Sequence, residues 1–121
     1  MSSDIRGSDN FDSATYNEWL FESGELTVAT AGGVSAIHGL GFKPTTVQAV
    51  IICKIAEDGY EVGDEVHVAT DINSSSRKTL WASATEIGLS YPTTYTAINH
   101  KTSGASVTLV STNWRFILRA K

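Results

Sequence analysis

The chain predicts an all-β fold, built as an antiparallel β-sandwich or partly closed barrel. Short runs of alternating apolar and polar residues recur about every ten residues from Gly24 onward. Turn-forming pairs separate these runs. No stretch between Gly24 and Lys121 carries the three turns of helical periodicity that parallel βαβ crossovers would need. A chain of 121 residues suffices for one such domain and a real core.

Residues 1–23 are read as a polar N-terminal arm or attachment segment, and residues 24–121 as the sandwich. Met1 to Ala14 are rich in Ser and Asp and nearly free of core-forming residues, as in a short flexible arm. Tyr16, Trp19 and Leu20 have the spacing of one helical turn, with Ser13 as a cap. The same stretch also reads as an extended strand over Trp19 to Glu22, and the alternative stays open here.

Leu26, Val28 and Thr30 alternate with polar or small residues before a Gly32-Gly33 turn. Val34, Ala36 and His38 share the next face. Thr46 to Ile55 is the strongest strand, with Val47, Ala49, Ile51, Cys53 and Ile55 on one side. Its other side carries Val50 and Ile52 at its centre, so the strand needs cover twice. That cover is expected from the arm, a loop or another subunit, which marks Val50 and Ile52 as oligomer-interface candidates. Val66 and Val68, Leu80 and Ala82, Ile87 and Leu89, Ile98, and Val107 and Leu109 supply the next strands. Trp114, Phe116, Leu118 and Ala120 share the last face. Asp58-Gly59, Val62-Gly63-Asp64, Asn73-Ser74, Tyr91-Pro92 and Ser103-Gly104 mark turns.

The formal net charge is -4, and the cations are scattered apart from Arg77-Lys78 and the terminal Arg115, Arg119 and Lys121. Nucleic acid needs a larger basic stripe, and an anionic membrane favours the opposite charge. Neither is expected as a partner. Cys53 is the only cysteine, which excludes an intrachain disulfide and a thiolate-rich metal site. No segment approaches the length of a membrane-spanning helix, and Met-Ser-Ser-Asp does not begin a signal peptide.

Chemistry is sparse. His38, His67 and His100 lie roughly 30 residues apart, without the short-range ligand pair of a cupin-like metal site. They read as surface or interface groups. His67 is also a candidate for an oligomer axis, where symmetry copies would gather. Asp71, Asn73 and Ser75 alternate in a loop, but they lack the glycine and terminal glutamate of a helix-loop-helix calcium site. Gly32-Gly33 and Gly39-Leu40-Gly41 precede no helix and no Lys-Ser or Lys-Thr pair, so no phosphate loop is expected. The acidic run Glu57, Asp58, Glu61, Asp64 and Glu65 reads as a solvated turn rather than a catalytic carboxylate pair. No catalytic residue, metal or cofactor is expected. A sugar site needs an exposed aromatic face and a few polar groups, and Trp81, Tyr91, Tyr95 and Tyr60 are the candidates. Packing in the core or between subunits is the competing reading for Trp81.

Several segments carry a family resemblance. They are Val34 to Pro44, the strand Val47 to Lys54, Gly59 to Val66, Leu80 to Thr85, and Asn113 to Ala120. Over roughly Gly24 to Lys121 the chain resembles small proteins and tail-fibre terminal domains of tailed bacteriophages and prophage-like regions. It is distantly similar to the H-type lectin sandwich. The resemblance implies a non-enzymatic virion protein, made in the host cytoplasm, that forms a homotrimer or hexamer. It would act as a receptor-binding module on a host surface glycan or protein. The alternative is a structural virion part, such as a capsid decoration or tail connector, held to other virion proteins. No complete sugar-binding set carries over residue by residue.

Overall fold

The computed structural model describes residues 18–28, 31–68, 78–92 and 97–121. Ten strands appear among them: β1 (Phe21–Glu22), β2 (Leu26–Thr27), β3 (Val34–Ile37), β4 (Val47–Cys53), β5 (Glu65–His67), β6 (Thr79–Ala82), β7 (Glu86–Ser90), β8 (Ala97–Asn99), β9 (Ser106–Thr108) and β10 (Trp114–Ala120). All pairings are antiparallel. The first sheet runs β1-β10-β4-β5, with β2 also on β10; the second runs β3-β7-β6; β8 and β9 form a hairpin. The fold is all-β and sandwich-like, as the alternation predicts.

The centre of the first sheet is the β4–β10 pair, in register from Trp114↔Cys53 to Ala120↔Val47. Strict alternation on β10 aims Trp114, Phe116, Leu118 and Ala120 inward, all fully buried. Ala49, Ile51 and Cys53 join them from β4. Ile87 and Leu89 of β7, with Val34, Ala36, Leu80 and Ala82, close the core from the second sheet. Ile98, Val107 and Leu109 of the hairpin region and the ring of Tyr91 complete it.

The edge of β10 opposite β4 holds one interrupted strand. Glu22 pairs with Arg119 and Leu26 with Phe116, so three residues on one side face two on the other. This is a β-bulge. Ser23 bridges it: its N–H donates to the Leu118 carbonyl at 2.8 Å, and its hydroxyl accepts from the Leu118 N–H at 2.9 Å. The sheet therefore begins before Gly24. The 23/24 boundary drawn from polarity cuts through the bulge, because a serine that replaces a ladder bond reads as surface in a sequence. Residues 1–17, which hold most of the expected arm and Tyr16, lie outside the described residues. Phe21–Glu22 is strand, which settles that part of the Trp19 to Glu22 alternative.

The outer face of this sheet corrects the expectation for Val50, which is fully buried by its own chain. Val50 pairs with Ile117 on one side and His67 on the other. Arg119 stands opposite Gln48, and Glu65 opposite Ile52, so the register puts Val50 beneath the line joining Arg119 to Glu65. The Arg119 guanidinium crosses that line to donate to Glu65 at 2.7 and 3.0 Å, and also reaches Glu22 at 2.6 Å and Gln48 at 2.8 Å. Its side chain is only 12% exposed. The arginine thus crosses the outer face at Val50 and keeps its charge paired. Hydrogen bonds to Glu65, working against partial burial, raise its already high pKa.

Phe116→Ala is expected to cost about 3–5 kcal/mol, because the cavity opens at a fully buried site. Arg119→Ala should cost less, about 1–2 kcal/mol, since water screens its half-exposed carboxylate partners. Urea denaturation at low and high salt checks both: salt should erode the Arg119 share and leave the Phe116 share intact.

Candidate functional site

Trp81 sits on β6, on the face of the second sheet turned away from the core. Its neighbours Leu80 and Ala82 pack against the core, which decides the face that the sequence left open. The register places Ser35, Gly88 and Trp81 in one row across the three strands. Gly88 is the reason the indole can lie there: a Cβ at that position would run into the ring atoms Cζ2, Cε2 and Nε1. The ring therefore lies across the β7 backbone. The indole N–H donates to the Ser90 hydroxyl at 3.1 Å and fixes the ring's rotation.

The turn at Gly32-Gly33 supplies the second wall. Gly33 has φ of 121°, and a Cβ there would collide with the Leu89 carbonyl oxygen, so only glycine allows this approach. The Gly32 N–H donates to the Tyr91 carbonyl at 3.0 Å, which pins the turn to the end of β7. Between turn and indole lies an open cleft of about 180 Å³, lined by Gly32, Gly33, Val34, Ser35, Trp81, Leu89 and Ser90. It is smaller than the roughly 300–1,000 Å³ of pockets for drug-sized ligands, and suits one ring. Its chemistry is one aromatic edge, two serines and glycine backbone.

The other aromatic candidates do not join Trp81. Tyr91 is 4% exposed, with its ring tilted against Phe116 at 6.0 Å and its hydroxyl donating to the Val28 carbonyl. It is a core residue, and burial raises its phenol pKa. Its place beside Pro92 reads as a loop tip in sequence, yet the chain there still runs along the sandwich interior. Tyr60 donates to the Asn99 carbonyl at 2.6 Å and meets Trp114 edge-on at 5.4 Å. It docks the β8–β9 hairpin onto β10. Tyr95 lies outside the described residues, as do Asp71, Asn73 and Ser75.

Of the interface candidates, Val50 is covered, Ile52 is half-buried and His67 is exposed on the edge strand β5. His38 and His100 have separate partners. His38 is 5% exposed, which corrects its reading as a surface group. Its Nδ1 accepts from the Leu40 N–H at 3.0 Å, so Nε2 carries the proton and donates to the Ser83 carbonyl at 3.0 Å. His100 Nδ1 accepts from the Thr102 and Ser103 N–H groups in the hairpin turn. No group of three or more His, Cys, Asp or Glu residues suited to a metal occurs among the described residues.

The acidic run holds a role that its composition hides. Asp58 and Gly59, at φ of 53° and 84°, make the tight turn that brings Tyr60 back onto Glu57. The Glu57 carboxylate accepts from the Val110 N–H at 2.9 Å, the Asn113 amide at 2.8 Å and the Trp114 indole at 3.0 Å. Partial burial pushes its pKa up, but those donors outweigh burial and hold it below the ordinary value. Asp64 is lowered by the Glu61 N–H and by Lys101, and Glu65 by Arg119 against burial. These three carboxylates are structural clamps.

Comparison with protein-family models, with curated proteins and with solved structures gives no match. The fold and cleft therefore define the class: an all-β protein with an aromatic-edged surface cleft.

Glu57, Asp64 and Glu65 ionise more readily folded than unfolded. Their stabilisation is complete above the unfolded pKa values, about 4, and is lost as pH falls through the lower folded values. Melting temperature should be flat above about pH 5 and drop below pH 4. Glu57→Gln should cost about 1–2 kcal/mol at neutral pH and shrink the acid-induced loss, as read by thermal melts across pH.

Proposed function

We propose that the chain is a non-enzymatic receptor-binding module of a phage-type particle, and that it holds a host-surface glycan by stacking one sugar ring on Trp81. The observation that carries this reading is the indole laid across Gly88 beside an open cleft. A sugar ring offers a flat C–H face for an aromatic ring and a rim of hydroxyls for hydrogen bonds. Ser35 and Ser90 line the same cleft and can hydrogen-bond a hydroxyl. Two of the segments that resemble phage tail-fibre terminal domains, Val34 to Pro44 and Leu80 to Thr85, contribute Val34, Ser35 and Trp81 to the cleft. That coincidence supports the attachment role. One shallow cleft binds weakly, and a homotrimer or hexamer would raise avidity by presenting several copies together.

A second reading, a structural virion part joined to other virion proteins, draws on a different surface. Ile55, Val62 and Val110 are 58%, 66% and 54% exposed. Backbone bonds from Ile55 to Asn113, Gly63 to Cys53 and Asn113 to Val110 tie their segments together at one end of the sandwich. With Val50 covered, this end is the better candidate for assembly.

Trp81→Ala should reduce binding to a glycan array or to host cells roughly tenfold or more, with an unchanged amide spectrum. Full binding by the folded variant would remove Trp81 from the site. Val62→Lys with Val110→Lys should dissociate an oligomer in light scattering and leave the affinity of a single cleft intact.

A further inference from the structure

We propose that Glu86 sets the charge class of the ligand, so that the Trp81 cleft accepts neutral sugars and rejects acidic ones. This rests on the reading of the cleft as a glycan site. None of the seven lining residues is charged. An anionic sugar would need an arginine, a lysine or a cluster of free backbone N–H groups. Among the described residues the cleft offers no cation, and its Gly32 N–H is already given to the Tyr91 carbonyl.

Its hydroxyls suit a neutral partner. Ser90 accepts from the Trp81 indole and keeps its own proton to donate. The Ser35 side chain is exposed and makes no hydrogen bond among the described residues. It can donate and accept, as a sugar hydroxyl does.

Glu86 adds repulsion. It lies two residues before Gly88 on β7, on the same outer face, opposite Ile37 and next to the Ser35–Gly88–Trp81 row. That places it about 7 Å along the strand from the ring, inside the Debye length of about 8 Å at physiological salt. The Glu86 carboxylate has no ion-pair or hydrogen-bond partner among the described residues. Ile37, 72% exposed, stands beside it and adds apolar surface rather than a countercharge.

The test uses matched methyl glycosides that differ only at C6: glucoside against glucuronide, and galactoside against galacturonide. Titrations follow the Trp81 indole N–H signal, assigned with Trp81→Phe, in the whole chain and in Glu86→Gln and Glu86→Lys. At least one neutral glycoside is expected to bind roughly tenfold more tightly than its uronide. Glu86→Gln should narrow that ratio and Glu86→Lys should bring it near one. The variants' amide spectra report whether the sheet is intact. Uronides that bind as tightly as their neutral partners, or a ratio unmoved by Glu86→Lys, would overturn the role of Glu86 and leave the glycan reading standing. Silence from both members of both pairs, with array binding also absent, would overturn the glycan reading and this inference with it.

Discussion

Seven consecutive residue pairs hold β10 to β4, and the other elements are placed by their relation to that ladder. Its inner face presents Trp114, Phe116, Leu118, Ile51 and Cys53 without a polar interruption, so the second sheet must lie across it. Its outer face presents Ile117, Val50 and Ile52, which would be a liability if left bare. Arg119 spans that face from its own strand to Glu65, anchored on three partners. Val50 is fully buried there, while Ile52 and Ile117 stay half-buried.

The second sheet shows the same economy at its surface. Its core-facing residues are ordinary aliphatics, whereas its outer row is Ser35, Gly88 and Trp81. A bulky residue between the other two would push the indole off the strand and close the cleft. Glu57 plays a comparable part at the far end, where one carboxylate gathers donors from the segment before β10 and from β10 itself. Tyr60 then joins the hairpin to that end. The Trp81 cleft and the clamps are thus kept on different elements.

Period-two alternation made the strands legible and placed Trp114 inward, while it set Trp81 opposite Leu80 and Ala82 and left open which of those two faces met the core. It could not show which strands pair. Gly88 gained its meaning only from register, since a glycine in a strand is compatible with a bulge, a bend or an aromatic neighbour. Val50 was misjudged because alternation shows that a face is apolar but not what lies over it. Tyr91 was misjudged because a residue before proline reads as a turn, while its ring points back into the interior. Glu57 vanished into a run of like charges. Its donors come from residues more than fifty positions away, a separation that local patterns do not report.

The bulge at Ser23 also bears on how copies of this chain can meet. Sheets polymerise when a long, flat, regular border offers unpaired backbone to a neighbour. One border of the first sheet is broken at Ser23, and the other is the three-residue β5, which carries Glu65 and His67. Among the described residues, neither border of this sheet is a good template for adding strands. The first sheet is thereby guarded against border-to-border growth by a missing ladder step on one side and by brevity and charge on the other.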